Sequence, residues 1–186
     1  MPIFIPIHIV ISILIKIDSK GSIFFKQPRL GKDNSIFLCY KYRTMYENSD
    51  NILKEYLLKN PDEMDYYSKY HKYKNDPRVT KIGSFLRSTS LDELPQILNI
   101  LKGEMSLVGP RPYMLNEAEK LGKDRDLILK VKPGITGLWQ VSGRNNLTFK
   151  QRNELEIWYI KNWLFWDDFI ILIKTIKVVF LKVGVN

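Results

Sequence analysis

A nearly continuous apolar segment occupies residues 2–17, and only His8, Ser12 and Lys16 interrupt it. It is shorter than the roughly 20 residues that a helix needs to cross a bilayer. No basic start region or small-residue cleavage site accompanies it, so the pattern does not indicate a cleaved signal peptide. The chain must therefore accommodate a strongly apolar element that is too short for a simple membrane span.

Periodicity within this segment is compatible with two conformations. Isoleucine occupies every odd position from Ile3 to Ile17, and such alternation favours a β-strand. Phe4 and Val10 at even positions make both faces apolar, and a strand of that length buried on both faces would be unusual. A helix that dips into a membrane from one side satisfies its own backbone hydrogen bonds. We predict such a helix, with Pro6 at a bend or at its start, and keep the strand as the alternative.

The C-terminal end carries a second pattern typical of a membrane surface. Trp and Tyr favour the membrane–water boundary, and interspersed lysines suit anionic lipid head groups. The residues concerned are Trp158, Tyr159, Trp163, Phe165 and Trp166, followed by the apolar run 169–181 with Lys174 and Lys177 inside it. We predict an amphipathic interfacial helical region at 157–182, with an aromatic-rich core helix as the alternative. Together the two ends favour a monotopic protein with a cytoplasmic catalytic body.

Composition narrows the setting. The single Cys39 excludes an internal disulfide framework, and the scattered His8 and His71 cannot form a histidine-based metal site. The chain therefore suits a reducing compartment. Its 29 Lys and Arg residues against 20 Asp and Glu residues give a net charge of +9, which favours nucleic acid, acidic lipid, nucleotide or phosphate partners.

Between the two ends, the sequence predicts one hairpin followed by helices. Residues 21–42 are predicted to be extended, with strands at 22–25 and 36–40 around a turn at 28–34. Start and stop residues predict helices at 51–59, 62–72, 83–86, 92–101, 116–121 and 149–163. Residues 46–76 are interpreted as a surface helical excursion. The fold class is therefore α+β and mainly helical, and 186 residues without a clear linker indicate a single domain, 1–186.

Two adjacent carboxylates, Asp92 and Glu93, lie at a predicted helix entrance. Ser90 and Glu93 fit a capping box, in which each side chain accepts from a backbone N–H of the first turn. Pro95 argues against that structural interpretation, because a proline several residues into a helix costs a hydrogen bond. A helix entrance also binds phosphate through its backbone N–H groups. The residues alone leave both interpretations open.

Basic residues in turn-forming segments are candidates for binding phosphate. Arg87 precedes the acidic pair, and Arg111 lies between Pro110 and Pro112, which would stiffen a turn and fix a guanidinium that grips phosphate with two hydrogen bonds. The glycine-rich segment 133–145 offers close backbone approach, N–H donors and Arg144. It matches neither GxGxxG nor GxxxxGK[ST], so a Rossmann or P-loop site has no support. Each cation has a surface charge as its alternative role.

Taken together, these segments closely resemble the bacterial sugar transferase family, the monotopic phosphoglycosyl transferases. The motifs occur in the family's order and comprise residues 41–45 (KYRTM), 87–96 (RSTSLDELPQ), 102–112 (KGEMSLVGPRP) and 133–145. The resemblance implies transfer of a sugar 1-phosphate from a UDP-sugar to undecaprenyl phosphate in the bacterial inner membrane, with release of UMP. That step would begin synthesis of a surface polysaccharide, such as an exopolysaccharide, a capsule or an O-antigen.

The resemblance also implies roles for individual residues. Asp92 would be the nucleophile that carries a covalent phosphosugar, and Glu93 would be its partner. Mg²⁺ held by Asp92 and Glu93 would neutralise the diphosphate. Two displacements would let a water-soluble donor leave its phosphosugar on the protein before a membrane-held acceptor takes it. The candidates for substrate and phosphate binding are Arg87, Arg111, Lys41, Arg43, Arg144, Pro110 and Pro112.

Comparison with the family pattern adds two expectations. The segments 46–83 and 137–144 resemble the catalytic part of the larger hexose-1-phosphate transferases, which favours UDP-galactose or UDP-glucose as the donor. In the family, the membrane element is a re-entrant helix-break-helix. Pro6 fits the break, but only five residues precede it. We therefore expect residues 1–17 to be the remnant of a truncated re-entrant helix.

Three alternatives remain at this level. The expected truncation suggests a nonenzymatic membrane-associated remnant or a partner of a complete transferase. The net charge suggests a nucleic-acid binder, but no recognisable nucleic-acid module is present, so we expect no nucleic acid among the partners. A phosphatase-like hydrolase would use the same residues with water as the acceptor. The sequence also leaves open whether the chain forms a homodimer.

Overall fold

The computed structural model describes residues 4–70, 73 and 75–180. These residues are mainly helical and include one antiparallel hairpin, which confirms the α+β prediction at that level. They divide into two compact units, one formed by the residues up to Ile23 with Arg43–Arg87, and one formed by Phe24–Tyr42 with the residues from Ser88 onward. Parts of the predicted segments, at 1–3, 71, 72, 74 and 181–182, lie outside the described residues, as does His71.

In the first unit, the apolar N-terminal segment forms a helix. α1 spans Phe4–Asp18, and Pro6 lies in its first turn, where the missing N–H has no partner within a helix. The strand alternative is wrong. Isoleucines four residues apart also share a helical face, and Ile11 and Ile15 are buried on that face. No helix among the described residues combines the length and the hydropathy needed to cross a membrane.

Among the described residues, the first unit has three further helices, and the first two lie where helices were predicted. α2 spans Ser49–Lys59, α3 spans Asp62–Tyr70 and α4 spans Lys81–Ser88. α2 buries none of its residues, as expected of a surface helix. α4 begins earlier than predicted because two oxygens accept from its first N–H groups. Thr80 Oγ1 lies 2.9 Å from the Gly83 nitrogen, and Asp18 Oδ2 lies 2.9 Å from the Ile82 nitrogen.

The second unit contains the predicted hairpin with a shorter turn. β1 (Phe24–Leu30) and β2 (Ile36–Tyr42) are antiparallel, with Phe24 opposite Tyr42 and Leu30 opposite Ile36. The predicted turn at 28–34 was too long, because Pro28 is accommodated within β1, whose outer edge needs no ladder N–H. The turn itself contains the 3₁₀ segment Lys32–Asn34, in which Asp33 and Asn34 have positive φ.

A short parallel strand pair was not predicted. β3 (Ser106–Val108) pairs with β4 (Gly134–Thr136), so the glycine-rich segment is partly ordered as a strand. The pairing requires close backbone approach, because a Cβ on Gly134 would lie 2.2 Å from the nitrogen of Gly109. Strands of this length are too short to show an alternating pattern, which is why the sequence did not indicate them.

Helices complete the second unit. They are α5 (Ile97–Leu101), α6 (Arg125–Ile128), α7 (Leu138–Ser142), α8 (Phe149–Asn162) and α9 (Phe165–Phe180). The stretch predicted as a helix at 116–121 forms two 3₁₀ segments, Leu115–Glu117 and Glu119–Asp124, and the region predicted at 157–182 is divided between α8 and α9. α8 begins as a capping box of Thr148 and Gln151. Its partly buried Ile157 and Ile160 pack on a core that contains Leu30, Tyr113, Leu121 and Ile128.

Candidate active site

The acidic pair lies on a 3₁₀ turn rather than inside a capped α-helix. Leu91–Gln96 forms the turn and α5 follows it directly, so the helix predicted at 92–101 begins with the irregularity that Pro95 required. Ser90 has φ 57°, a left-handed conformation, and its side chain caps no backbone N–H. The capping-box interpretation is therefore wrong. Asp92 and Glu93 are both partly exposed, so both carboxylates can reach a ligand.

Lys41 joins the hairpin to this turn. Its ammonium Nζ, on β2, lies 2.6 Å from Glu93 Oε1, and the lysine side chain is only 26% exposed. Burial by itself would lower the pKa of Lys41, but the charges of Glu93 and Asp92 and the hydrogen bond to Glu93 outweigh burial and raise it. Lys41 is therefore a fixed cation that acts on both carboxylates of the pair.

A buried amide, Asn99, holds the acid-bearing segment against β2. Its side chain is fully buried, and its Oδ1 accepts from the backbone N–H of Tyr40 at 3.0 Å. Its Nδ2 donates to the carbonyl of Leu38 and to Glu104 Oε2, both at 2.7 Å. Since Tyr40 directly precedes Lys41, these bonds fix the strand next to the Lys41–Glu93 ion pair. Sequence reasoning missed Asn99, because a single asparagine in an apolar helix has no pattern that predicts a role.

The glycine-rich segment brings Arg144 to the entrance of the acidic turn. Arg144 Nη2 donates to Ser90 Oγ at 3.2 Å, and Arg144 itself has φ 48° within the 3₁₀ segment Arg144–Asn146. The backbone of this segment lies against the Gly109–Pro112 turn. The Gly134 nitrogen donates to the carbonyl of Pro110 at 2.8 Å, and a Cβ on Gly137 would lie 2.3 Å from the carbonyl oxygen of Gly109. Two segments singled out from the sequence are thus neighbours in space.

The Pro110-Arg111-Pro112 turn is held from both sides by other side chains. The backbone N–H of Arg111 donates to Glu156 Oε1 at 2.7 Å, and Arg111 Nη1 lies 3.2 Å from Glu117 Oε1. Arg29 is buried beneath the turn and donates from Nη1 to the carbonyl of Pro112 at 3.1 Å. Burial, and next the charge of Arg111, lower the pKa of Arg29, while Glu117 and Glu93 act in the opposite direction. The two prolines and these bonds hold Arg111 in place, and its binding of phosphate stays a prediction.

Below this turn lies a polar group that sequence reasoning did not find. Glu156 on α8 is 2% exposed, and the hydroxyl of Tyr113 is within hydrogen-bonding reach of both Glu156 Oε2 and Asn153 Oδ1. Burial raises the pKa of Glu156 to about 7, although the hydrogen bonds from Arg111 and Tyr113 and the charge of Arg111 act to lower it. Arg152 on the same helix stacks over the ring of Trp139, 4.8 Å from its centre.

Two predicted phosphate-binding residues belong to the first unit. Arg43 is buried there and donates to the carbonyl oxygens of Lys20 and Ser19 at 2.5 and 2.8 Å, so its guanidinium secures the chain after α1. Arg87, near the end of α4, donates from Nε to Thr44 Oγ1 at 2.9 Å. The second unit therefore brings together Lys41, Asp92, Glu93 and Arg144, with Arg111 held on a separate rigid turn.

Asp92 and Glu93 supply two possible ligands for a metal ion. Across the described residues, no group of three or more His, Cys, Asp or Glu side chains is placed to hold a metal ion. Mg²⁺, however, commonly binds through one or two carboxylates together with substrate phosphates and water. Asp92 and Glu93 are adjacent and partly exposed, which fits a magnesium ion that arrives with a diphosphate. Lys41 already neutralises one charge of the pair, which would limit the affinity for the metal alone.

Comparison with known proteins finds one matching family and several similar transferases. The family model described as "Bacterial sugar transferase" matches residues 1–182. The undecaprenyl-phosphate galactose phosphotransferase of Salmonella typhimurium is 49% identical over 164 residues, which cover 88% of this chain and 34% of that protein. The UDP-glucose:undecaprenyl-phosphate glucose-1-phosphate transferase of Klebsiella pneumoniae is 40% identical over 184 residues, 92% of this chain and 35% of that protein.

A shorter relative matches over most of its own length. The exopolysaccharide production protein ExoY of Rhizobium meliloti is 43% identical over 182 residues, 98% of this chain and 80% of that protein. The chain spans about a third of the length of the two transferases above. The similarity extends over the segments that carry Lys41, the acidic pair, Arg111 and Arg144.

Proposed function

We propose that this chain, which belongs to the bacterial sugar transferase family, is a hexose-1-phosphate transferase. It would transfer a hexose 1-phosphate from a UDP-sugar to undecaprenyl phosphate and release UMP. The observation that carries this proposal is the partly exposed Asp92–Glu93 pair, with Lys41 and Arg144 placed beside it. The names of the relatives support galactose or glucose as the sugar, in synthesis of a surface polysaccharide. They do not favour the alternative of a nonenzymatic remnant.

The proposed chemistry uses two displacements at one phosphorus. An oxygen of Asp92 forms a bond to the β-phosphorus, and the bond from that phosphorus to the bridging oxygen breaks, so that UMP leaves with the electron pair. An oxygen of undecaprenyl phosphate then bonds to the phosphorus, and the Asp92–phosphorus bond breaks to restore the carboxylate. Covalent catalysis of this kind divides one difficult transfer into two easier steps.

The neighbouring charges would make a carboxylate an adequate nucleophile. Lys41 and the arginines reduce the repulsion between Asp92 and an anionic diphosphate, and a fixed cation needs no reorganisation when charge develops. Arg144 and Arg111 are the proposed phosphate ligands in the second unit. Glu93, held by Lys41, would orient the substrate beside Asp92. When bound by Asp92 and Glu93, Mg²⁺ would supply further neutralisation of the diphosphate.

We place the reaction at the cytoplasmic face of the inner membrane, because the acceptor is a lipid and α9 presents apolar side chains to solvent. The exposed residues on and just before this helix are Trp163, Leu164, Phe165, Trp166, Phe169, Ile170, Ile173 and Ile176. A contiguous exposed apolar surface of this kind marks an interaction site, and tryptophan beside lysine suits a lipid boundary. The acceptor phosphate would then reach the protein from the membrane side.

Membrane attachment through α9 predicts a result with vesicles. Trp166 and Phe169 are 68% and 54% exposed, so the double variant Trp166→Ser/Phe169→Ser should fold normally. Its affinity for vesicles that contain anionic lipid should be at least about 10-fold lower than that of the wild type. The reason is that the variant lacks the apolar transfer free energy of two aromatic rings. Sedimentation with vesicles measures this. Leu58→Ser, which alters an 84% exposed leucine on α2, is the matched control. Equal binding by the double variant and the wild type would argue against α9 as the attachment surface.

The transferase function is tested by supplying the protein in nanodiscs with undecaprenyl phosphate and a panel of UDP-sugars. We expect UMP release and a lipid-linked phosphosugar in equal amounts, with UDP-galactose or UDP-glucose the best donor. Release of UMP with free hexose 1-phosphate, independent of lipid, would instead identify a hydrolase. A folded protein that forms no product with any donor would contradict the proposal.

A further inference from the structure

We propose that Glu156 is a positioning residue for Arg111, and that it works as a neutral carboxylic acid which donates its proton to the Tyr113 hydroxyl. The proposal rests on the proposed function, because Arg111 is taken there as a phosphate ligand. It concerns a residue on α8 that accepts from the backbone N–H of Arg111 and contacts the hydroxyl of Tyr113. The argument starts from the hydrogen atoms that are available for the buried hydrogen bonds among Tyr113, Asn153 and Glu156.

The hydroxyl of Tyr113 has one hydrogen but two acceptors around it. Asn153 Oδ1 lies 2.9 Å away, and Glu156 Oε2 is also in contact with it. If Glu156 were ionised, one of these contacts would place two oxygen lone pairs against each other in a buried site, which is costly. A proton on Glu156 Oε2 removes the conflict, because Glu156 then donates to Tyr113 and Tyr113 donates to Asn153. Glu156 Oε1 stays free to accept from the backbone N–H of Arg111.

Burial supports the neutral form. Glu156 is 2% exposed and Tyr113 is also 2% exposed, so water cannot solvate a carboxylate there. Burial raises the pKa of Glu156 to about 7, so the acid is mostly protonated at pH 6 and about half protonated at pH 7. Burial also raises the pKa of Tyr113 far above its usual range, so the phenol keeps its own proton.

The protonation state of Glu156 sets the charge of an arginine cluster, defined here as Arg29, Arg111 and Arg152. Two further carboxylates act on the cluster: Glu117, through its ion pairs with Arg111 and Arg29, and Glu93, through its charge on Arg29. α6, which packs against α8, adds Arg125 and Asp126, and Arg125 donates to Asn34; α7 carries no titratable group. With Glu156 neutral, the cluster has surplus positive charge for phosphate. Ionisation removes one unit of that charge and also strains the hydrogen bonds under the Arg111 turn.

The sign of the pH dependence follows directly. Because the pKa of this acid is raised in the folded protein, the folded state is favoured while Glu156 is protonated, and stability is lost as pH rises from about 4.5 through about 7. Donor binding should weaken over the upper part of that range, when ionisation of Glu156 reduces the positive charge of the cluster by one unit. The diphosphate of a UDP-sugar does not change its charge there, so the change reports on the protein.

Glu156→Gln is the decisive variant, because glutamine imitates the neutral acid at every pH. Its amide nitrogen donates to Tyr113, and its oxygen accepts from Arg111. For the wild type we expect the dissociation constant of UDP-glucose or UDP-galactose, measured by calorimetry, to rise about threefold to tenfold between pH 6 and pH 8.5. For Glu156→Gln the rise should be absent, and its unfolding midpoint in urea should exceed that of the wild type at pH 8.5 but not at pH 6. Two results together would overturn the proposal. In the first, the dissociation constants of the wild type and of Glu156→Gln would change with pH in the same way. In the second, Glu156→Gln would be less stable than the wild type by the same amount at pH 6 and at pH 8.5.

An infrared titration tests the proton itself without any substrate. A protonated-carboxyl band should be present in the wild type at pH 6, disappear by pH 8.5 and be missing from Glu156→Gln. Tyr113→Phe provides a second variant, since it removes the acceptor of the proton and should shift the band to the frequency of a weakly hydrogen-bonded acid. Absence of the band from the wild type at pH 6 would refute the neutral acid. Failure of the wild type to bind any UDP-sugar, with the band present, would count against the proposed function instead.

Discussion

Asp92→Asn is expected to abolish the covalent phosphosugar intermediate and to lower the rate of UMP release by at least about 10³-fold. The carboxamide has nearly the same shape as the carboxylate but is not a nucleophile toward phosphorus. Asp92 is partly exposed on the 3₁₀ turn, so the substitution should leave the fold intact. The measurement uses a UDP-sugar labelled at the β-phosphorus, followed by denaturation and detection of label that stays with the protein.

Controls separate loss of the nucleophile from a general loss of charge. Asp126→Asn removes an exposed carboxylate from α6 in the same unit and should label like the wild type. Glu93→Gln should slow labelling but keep it, because it alters the partner of Lys41 and leaves Asp92 unchanged. Undiminished label on Asp92→Asn would show that another residue carries the phosphosugar.

The sequence located the acidic pair but could not decide what Ser90 and Glu93 do there. A capping box and a ligand-binding turn use the same residue types at the same spacing. The choice depended on a left-handed backbone at Ser90 and on a lysine from β2, neither of which a local pattern encodes. Pro95 was the local feature that pointed correctly, because its missing N–H excludes a regular helix whatever the tertiary context.

Residues that act through burial were the ones that sequence reasoning missed. Glu156 and Asn99 are buried polar residues, and their roles arise only when distant segments fold over them. Arg43 shows a related limit of sequence reasoning. It was predicted to bind phosphate, but its guanidinium donates to backbone carbonyl oxygens after α1. The regular helices, by contrast, were predictable, because start and stop residues act within one turn of the chain.

The positions of the acidic pair and Lys41 depend on Asn99, and Asn99→Asp should destabilise the protein by about 3 kcal/mol or more at pH 7. The new carboxylate would still accept from Tyr40, but it would face the carbonyl of Leu38 and the carboxylate of Glu104 with no hydrogen to donate. Because the site is fully buried, the charge has no water to compensate it. Urea unfolding at pH 7 measures the loss, and Asn116→Asp, an exposed exchange of the same chemistry, should cause almost none.

Acidification distinguishes this cause from a simple packing defect. The carboxyl group that Asn99→Asp introduces would be buried and its pKa raised, so protonation at pH 5.5 should restore one donor and recover part of the stability, whereas a packing defect would persist. The fraction that stays folded should still react poorly, because α5 and β2 would no longer set the distance between Lys41 and Glu93. We therefore expect kcat to fall at least about 10-fold under conditions where the variant is folded. An unchanged unfolding midpoint and an unchanged kcat would show that β2 and the acidic turn hold their geometry without the Asn99 amide.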